Sequence, residues 1–261
     1  MDDRAIAQFA ETGQALGFAL AWSGLLLCLQ GNLVEARRRV QTALDDWQAH
    51  GNREGISMAF AFLAEIEAAS GEIGAARDHF RRGLAIARAI DRNGLVCFNL
   101  EGLGRLELEM GRPTRAAELY RESLAFGERT GMAHDIHTSI ALGGLGRAAL
   151  ALGQLAEAKD YQRQALRCPV YWVHDRIEAV ATLAQISAAE GDVLRAVELL
   201  AFAVAHPATS HRVRQPMARL LAELEAELPA EQFAAAAARG RARELDEVVA
   251  ELIGNPTAGR R

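Results

Sequence analysis

Apolar residues along this chain fall three and four positions apart, the spacing that gathers them on one face of a helix. No alternating apolar and polar stretch of comparable length competes, so the pattern predicts helices and no sheet. The helices come in pairs on a fixed period. Gly31, Gly71, Gly111, Gly153 and Gly191 stand 40, 40, 42 and 38 residues apart. Five residues after each is an alanine: Ala36, Ala76, Ala116, Ala158 and Ala196. Twelve after each is a small residue: Ala43, Gly83, Ser123, Ala165 and Ala203. An aliphatic residue follows at thirteen: Leu44, Leu84, Leu124, Leu166 and Val204. Eight before the glycine stand Leu63, Leu103, Leu145 and Leu183, with Ser23 the exception. Seven before are Gly24, Ala64, Gly104, Gly146 and Ala184.

Each register has a physical meaning. The period glycine ends a first helix, where a left-handed residue is needed and glycine adopts it cheaply. The small residues mark where the two helices of a pair cross. Phe80 and Tyr120, nine after their glycines, are expected to fill the seam to the next pair.

The strings Leu103-Gly104…Gly111…Ala116…Tyr120…Ser123 and Leu145-Gly146…Gly153…Ala158…Ala165 resemble the tetratricopeptide repeat (TPR), a pair of antiparallel helices. The resemblance covers about residues 14 to 206. The usual repeat is about 34 residues; the longer period here is similar to the C-terminal sensor regions of large bacterial ATP-dependent signalling regulators, of the maltose-activator and LuxR types. It implies an all-α, right-handed α-solenoid of about five helix hairpins, at about 14–52, 53–92, 93–131, 132–169 and 170–206.

The two ends depart from the repeat. Ile6 precedes Gly13 by seven residues, as Leu44 precedes Gly51 and Leu124 precedes Gly131. Residues 1–13 therefore read as part of a preceding second helix or as an N-terminal cap. A longer array is favoured, because Ile6 and Phe9 would otherwise sit at an unprotected end. After His206-Pro207, residues 207–254 read as capping helices: one with Pro216 in its first turn, one opened by Pro229, and a last one carrying Leu245, Val248, Val249 and Leu252. Residues 255–261 are expected to be disordered.

Composition narrows the function. Half of the 261 residues are hydrophobic and 24% are charged, an ordinary globular balance. The net charge of −5 provides no global attraction for nucleic acid or an anionic membrane. The uncharged stretch Thr12–Val34 carries Gln14, Gln30, Asn32 and four glycines, which fits a buried helix pair better than a membrane span. Cys28, Cys97 and Cys168 form no CxxC pair, so neither a disulfide framework nor a zinc site is expected, and a cytoplasmic location is. No GxxxxGK[ST] phosphate loop occurs.

Chemistry-bearing residues are sparse. His134 and His137, with Asp135 between, and His174-Asp175 read as helix-entry residues rather than as a metal site. Ser139 and Thr138 lie near, but no pattern couples a nucleophile to a base. Arg37-Arg38-Arg39 and Arg81-Arg82 fall on the solvent face of second helices beside acidic residues. Residues 206–261 hold eight Arg against eight acidic residues, and no aromatic residues interleave to stack bases.

The resemblance implies that first helices line a concave groove. Six before each closing glycine stand Leu25, Glu65, Arg105, Arg147 and Gln185. Ten before stand Ala21, Ala61, Glu101, Gly143 and Ala181, and thirteen before Phe18, Met58, Phe98, Ile140 and Glu178. The candidate ligand-binding residues are Glu65, Glu101, Arg105, Arg147 and Gln185; Tyr171 and Trp172 either add an aromatic wall or merely close a long gap between helices. Guanidinium groups beside glycine and alanine suit a carboxylate, peptide terminus or phosphate. The alternative is that these charges pair across adjacent first helices. The expected function is recognition without catalysis, metal or cofactor. The ligand is a peptide, a partner protein or a small effector, within a bacterial signalling or transcriptional regulator. A stand-alone adaptor or homo-oligomeric scaffold is the alternative.

Overall fold

The computed structural model describes residues 13–132, 136–169 and 172–254. The expectations for residues 1–12, His134, Asp135, Tyr171 and 255–261 lie outside the described residues. Among the described residues every regular element is a helix: α1 (Gly13–Leu29), α2 (Leu33–Ala49), α3 (Arg53–Ala69), α4 (Ile73–Ala89), α5 (Asn93–Glu109), α6 (Pro113–Arg129), α7 (Ile136–Ala151), α8 (Leu155–Arg167), α9 (Val173–Ala189), α10 (Val193–Ala205), α11 (His211–Glu227), α12 (Ala230–Arg241) and α13 (Leu245–Leu252). The fold is an all-α helical-repeat solenoid, and the chain divides into two compact units, residues 1–110 and 111–261.

In the first unit α1 packs on α2, α2 on α3, α3 on α4 and α4 on α5. The first helices also touch one another, α1 with α3 and α3 with α5, whereas no comparable contact joins α2 to α4. First helices therefore form the inner layer of this unit. The second unit repeats the arrangement: α6 packs on α7, α7 on α8, α8 on α9 and α9 on α10, while α7 also meets α9.

The period glycines do what the sequence predicts. Gly31, Gly71, Gly111, Gly153 and Gly191 have φ between +69° and +87°. At Gly31 the turn closes with two backbone bonds: Asn32 N–H donates to the Leu27 carbonyl (2.9 Å) and Gly31 N–H to that of Cys28 (2.9 Å). This is the Schellman arrangement, which satisfies carbonyls that a helix end leaves open. The Asn32 side chain then accepts from Glu35 N–H and starts α2. The same closure recurs at Glu72, Gln154 and Asp192. Between hairpins Gly51 and Gly131 play this part, but at the equivalent place between α4 and α5 the left-handed residue is Asp91, φ +53°.

The small-residue registers are the crossing points. Ala36, Ala76, Ala116, Ala158 and Ala196 are all fully buried. A Cβ added to Gly24 or Gly146 would overlap Val40 or Gln162 of its own hairpin. One added to Gly102 would overlap the Phe80 ring, and one added to Gly144 the Tyr120 ring, in each case from the preceding second helix. The two aromatics thus fill the seam to the next pair, as their register implies. Trp47 of α2 lies fully buried between Gly17 of α1 and Gly55 of α3. Cys28 and Cys97 are buried as small hydrophobes.

The C-terminal helices close the second unit. Among them, α12 packs closely along α10, where a Cβ on Gly240 would overlap the Glu198 carbonyl oxygen. Arg163 and Arg167 of α8 donate to the Leu252 and Ile253 carbonyls at the end of α13, each at 3.0 Å. Glu198 and Glu251 accept from Arg195 and Arg243, which knots α10 to α13 and to the segment before it. Burial pulls the Arg243 guanidinium down, but its bonds to Glu251 and Glu198 outweigh that and hold it above the usual arginine value. Pro216 differs from its expected place. It lies inside α11, not in the first turn, because the helix already starts at His211. Arg214 anchors that earlier start by donating to the carbonyls of Val204 (2.6 Å), His206 and Thr209.

Two pairs of substitutions test this account by urea denaturation. An L-residue in the left-handed region costs roughly 1–2 kcal/mol, so Gly71→Ala is expected to destabilise by about 1 kcal/mol. In the equivalent strained role, Asp91→Gly is expected to stabilise by about 0.5 kcal/mol after the entropy of the unfolded glycine is counted. Gly240→Ala should lose about 1–3 kcal/mol by forcing α10 and α12 apart. Gly74→Ala, whose Cβ meets open space, should gain up to about 1 kcal/mol from helix propensity.

Candidate functional site

Glu65, Glu101 and Arg105 lie in the first unit, Arg147 and Gln185 in the second. On the inner layer of the first unit, the Arg105 Nη2 of α5 donates to Glu65 Oε2 of α3 at 2.5 Å. Both side chains are 15% exposed. Glu109, one turn on, approaches Arg105 Nε at 3.8 Å. The Arg105 guanidinium also lies over the Phe80 ring, 5.9 Å from its centroid and within cation–π range. Glu101 is buried, and Ala21 and Ala61 are closed off entirely. Beside this rung runs an aromatic ladder that the sequence reading missed: Trp22 of α1 meets Phe62 of α3 edge-on at 5.0 Å, and Phe62 meets Phe98 of α5 at 5.7 Å. Its signal was an aromatic pair at one register, Trp22 and Phe62, nine before their glycines.

The second unit has its own rung. Arg147 Nη1 of α7 reaches Glu178 Oε1 of α9 at 3.0 Å, and its Nη2 donates to the Tyr120 hydroxyl at 3.4 Å. Arg212 of α11 approaches the other Glu178 oxygen at 3.7 Å. Glu178 thus sits between two guanidiniums. Its role as the acid partner was not assigned from sequence, and Arg212 lies where the repeat register has run out. Gly143 is buried, and its carbonyl accepts from Gln162 Nε2 at 2.9 Å. Gln185 is half-buried on the same helix as Glu178. Trp172 caps the start of α9 and lies 5.3 Å from the His174 ring.

The arrangement is one of crosslinked first helices with their polar atoms near the surface. The expected pairing across adjacent first helices is present for Glu65 with Arg105, and Arg147 takes Glu178 as its acid. Half-buried pairs of this kind hold neighbouring helices in register while leaving guanidinium edges reachable. Among the described residues no group of three or more His, Cys, Asp or Glu side chains could hold a metal ion. Nor is any described helix long and apolar enough to cross a membrane.

The run Arg37-Arg38-Arg39 is engaged with acids. Arg37 bonds Glu72 at 2.7 Å and lies 3.6 Å from the buried Glu67, which also takes His79 Nδ1 at 2.7 Å. Arg38 and Arg39 both bond Glu35. Arg82 lies over the Phe60 ring, 4.0 Å from its centroid. The hydrogen bonds from Arg38 and Arg39 hold the Glu35 carboxyl far below its ordinary value, at about 2.

Comparison with known proteins gives the same architecture. The family model described as MalT-like TPR region matches residues 14–260. No curated protein matches the chain. Among solved structures, the crystal structure of BtubC (BKLC) from P. vanneervenii is similar, with a TM-score of 0.54 and 18% identity over 89% of this chain and 95% of that one.

The Glu35 cluster yields a titration test. A carboxylate whose folded pKa is depressed lends stability above its unfolded value of 4.5 and loses it as pH falls toward about 2. Carbon-detected NMR should find the Glu35 midpoint near 2 in the native chain and closer to 4.5 in Arg38→Ala. An unchanged midpoint in the variant would break the assignment of cause.

Proposed function

The chain belongs to the MalT-like TPR family, and from that footing we propose that it is a recognition domain with no reaction chemistry of its own. The inner first-helix faces bind a peptide, a partner protein or a small effector, and the domain serves a cytoplasmic bacterial signalling or transcriptional regulator. One observation carries the reading. The registers that pack the hairpins are uniform from pair to pair, with buried alanine five after each glycine and buried leucine eight before four of them. The inner-face registers are not: Leu25, Glu65, Arg105, Arg147 and Gln185 occupy the same position in successive pairs. Packing does not demand this variety, whereas a surface that reads a ligand by charge and shape does. None of the three cysteines is in a disulfide, which suits a reducing compartment.

The candidate site residues have roles under this proposal. In the first unit Arg105 presents its guanidinium edge to an anionic group while Glu65 keeps it oriented, and in the second unit Arg147 does the same with Glu178. Gln185 adds a polar contact in the second unit, whereas Glu101 of the first unit is buried and offers none at the surface. Binding that recruits an arginine must compete with its carboxylate partner, so affinity comes from several contacts across the face.

Thermal shift against a panel of peptides and metabolites tests this. A ligand at 100 times its dissociation constant adds about 2.7 kcal/mol of stability. Arg105→Ala or Arg147→Ala, each compared with its own ligand-free baseline, should shrink the shift. A ligand that stabilises the native chain and both variants equally would place binding away from the inner faces.

A further inference from the structure

Resting on the recognition role proposed above, we infer that Arg212, which lies beyond the repeat, is the second arm of an anion clamp in the second unit, and that the clamp takes a phosphate monoester. Helix α11 occupies the place that a sixth first helix would hold. It packs on α10 and also meets α9, just as α9 packs on α8 and meets α7. Its first turn therefore extends the inner layer past the last hairpin. There Arg212 approaches Glu178 Oε2 at 3.7 Å, while Arg147 of α7 holds Glu178 Oε1 at 3.0 Å. Two guanidiniums from different helices thus flank one carboxylate. Arg212 is the looser and more open arm. Its side chain is 40% exposed, against 23% for Arg147 and 16% for Glu178, and 3.7 Å is too long for a direct hydrogen bond.

The segment before α11 fixes where Arg212 stands. Thr209 and Ser210 are buried, and the Thr209 hydroxyl donates to the Ala203 carbonyl at 2.5 Å. Arg214, two residues on, donates to the carbonyls of Val204, His206 and Thr209. Packing of the helix does not call on Arg212, because Val213, Met217 and Leu224 form its buried face. The backbone under Arg212 is therefore held firmly while its guanidinium stays at the surface. The class of anion follows from competition. A ligand must share both arginines with Glu178 or take them from it. A second carboxylate brings only the charge already there. A phosphate monoester brings about −1.5 to −2 charges near neutral pH and three acceptor oxygens. It can face each guanidinium with a separate oxygen, the geometry in which arginine binds phosphate best.

Phosphorus NMR titration of phenyl phosphate with the full chain gives the test, with phenyl sulfate as a competitor of the same shape and lower charge. The phosphate signal should broaden saturably, and phenyl sulfate at equal concentration should not displace it. Arg212→Ala, checked for native helicity, should weaken binding by about tenfold, the loss of one charge-assisted hydrogen bond. Arg212→Lys should recover part of that, since it keeps the charge without the fork. Arg219→Ala removes the same charge from an exposed position of the same helix and should change nothing. Glycerol 3-phosphate and a phosphoserine peptide then separate the two sources of the group, a metabolite or a modified chain, by which binds more tightly. Equal binding by Arg212→Ala and Arg219→Ala overturns the clamp; if Arg147→Ala alone weakens binding, the inner-face reading survives without Arg212. Equal displacement by phenyl sulfate overturns the phosphate assignment. No saturable response overturns the clamp and leaves the inner-face reading to the thermal-shift panel.

Discussion

The distance at which neighbouring helices can approach one another governs both units, and missing side-chain atoms set that distance. Gly102 admits the Phe80 ring, Gly144 the Tyr120 ring, and Gly17 with Gly55 the Trp47 indole. In each case a large flat side chain from a second helix lies where a Cβ would otherwise stand. Close packing has no slack to absorb even one added methyl group at such places. The period of forty is the sequence image of that constraint: each crossing needs its small residue at a fixed distance from the turn.

Once the scaffold is fixed by small and apolar residues, charge is released for other work. The rungs Glu65–Arg105 and Arg147–Glu178 join first helices within their own units. Largely buried pairs of this kind offset most of their attraction against lost hydration, so their net contribution to stability is modest. Their larger effect is on geometry, since a bonded guanidinium presents its remaining N–H groups in a set direction. The contrast with Glu198 and Glu251 is instructive. There the arginines converge on two acids and tie down the closing helices, and the chemistry is consumed in holding the chain together.

The fold was legible because its determinants are local and recur. A left-handed glycine, an alanine five residues on and a leucine eight before make one statement repeated down the chain. Glu65 and Arg105 were legible for the same reason, since they stand 40 residues apart at one register. Arg147 was placed but its partner was not, because Glu178 belongs to a different register and its approach depends on how α7 and α9 lie side by side. Arg212 and Arg214 were illegible, since the cap obeys no period. Pro216 misled by a true rule applied at the wrong place: Arg214 binds the end of α10 strongly enough to begin the helix a turn earlier. The Trp22–Phe62–Phe98 ladder needed coordinates, since Phe98 joins it from another register.

The three tryptophans occupy very different surroundings. Trp47 is sealed between two glycine-faced helices, and its indole N–H has no hydrogen-bond partner. Trp22 looks outward from α1, and Trp172 stands at the entry to α9 in the second unit. Emission from the chain is therefore a sum of separable colours, blue from the sealed indole and redder from the wetted ones. A water-borne quencher removes the red part first, so the remaining blue emission reports whether the seam around Trp47 has stayed closed.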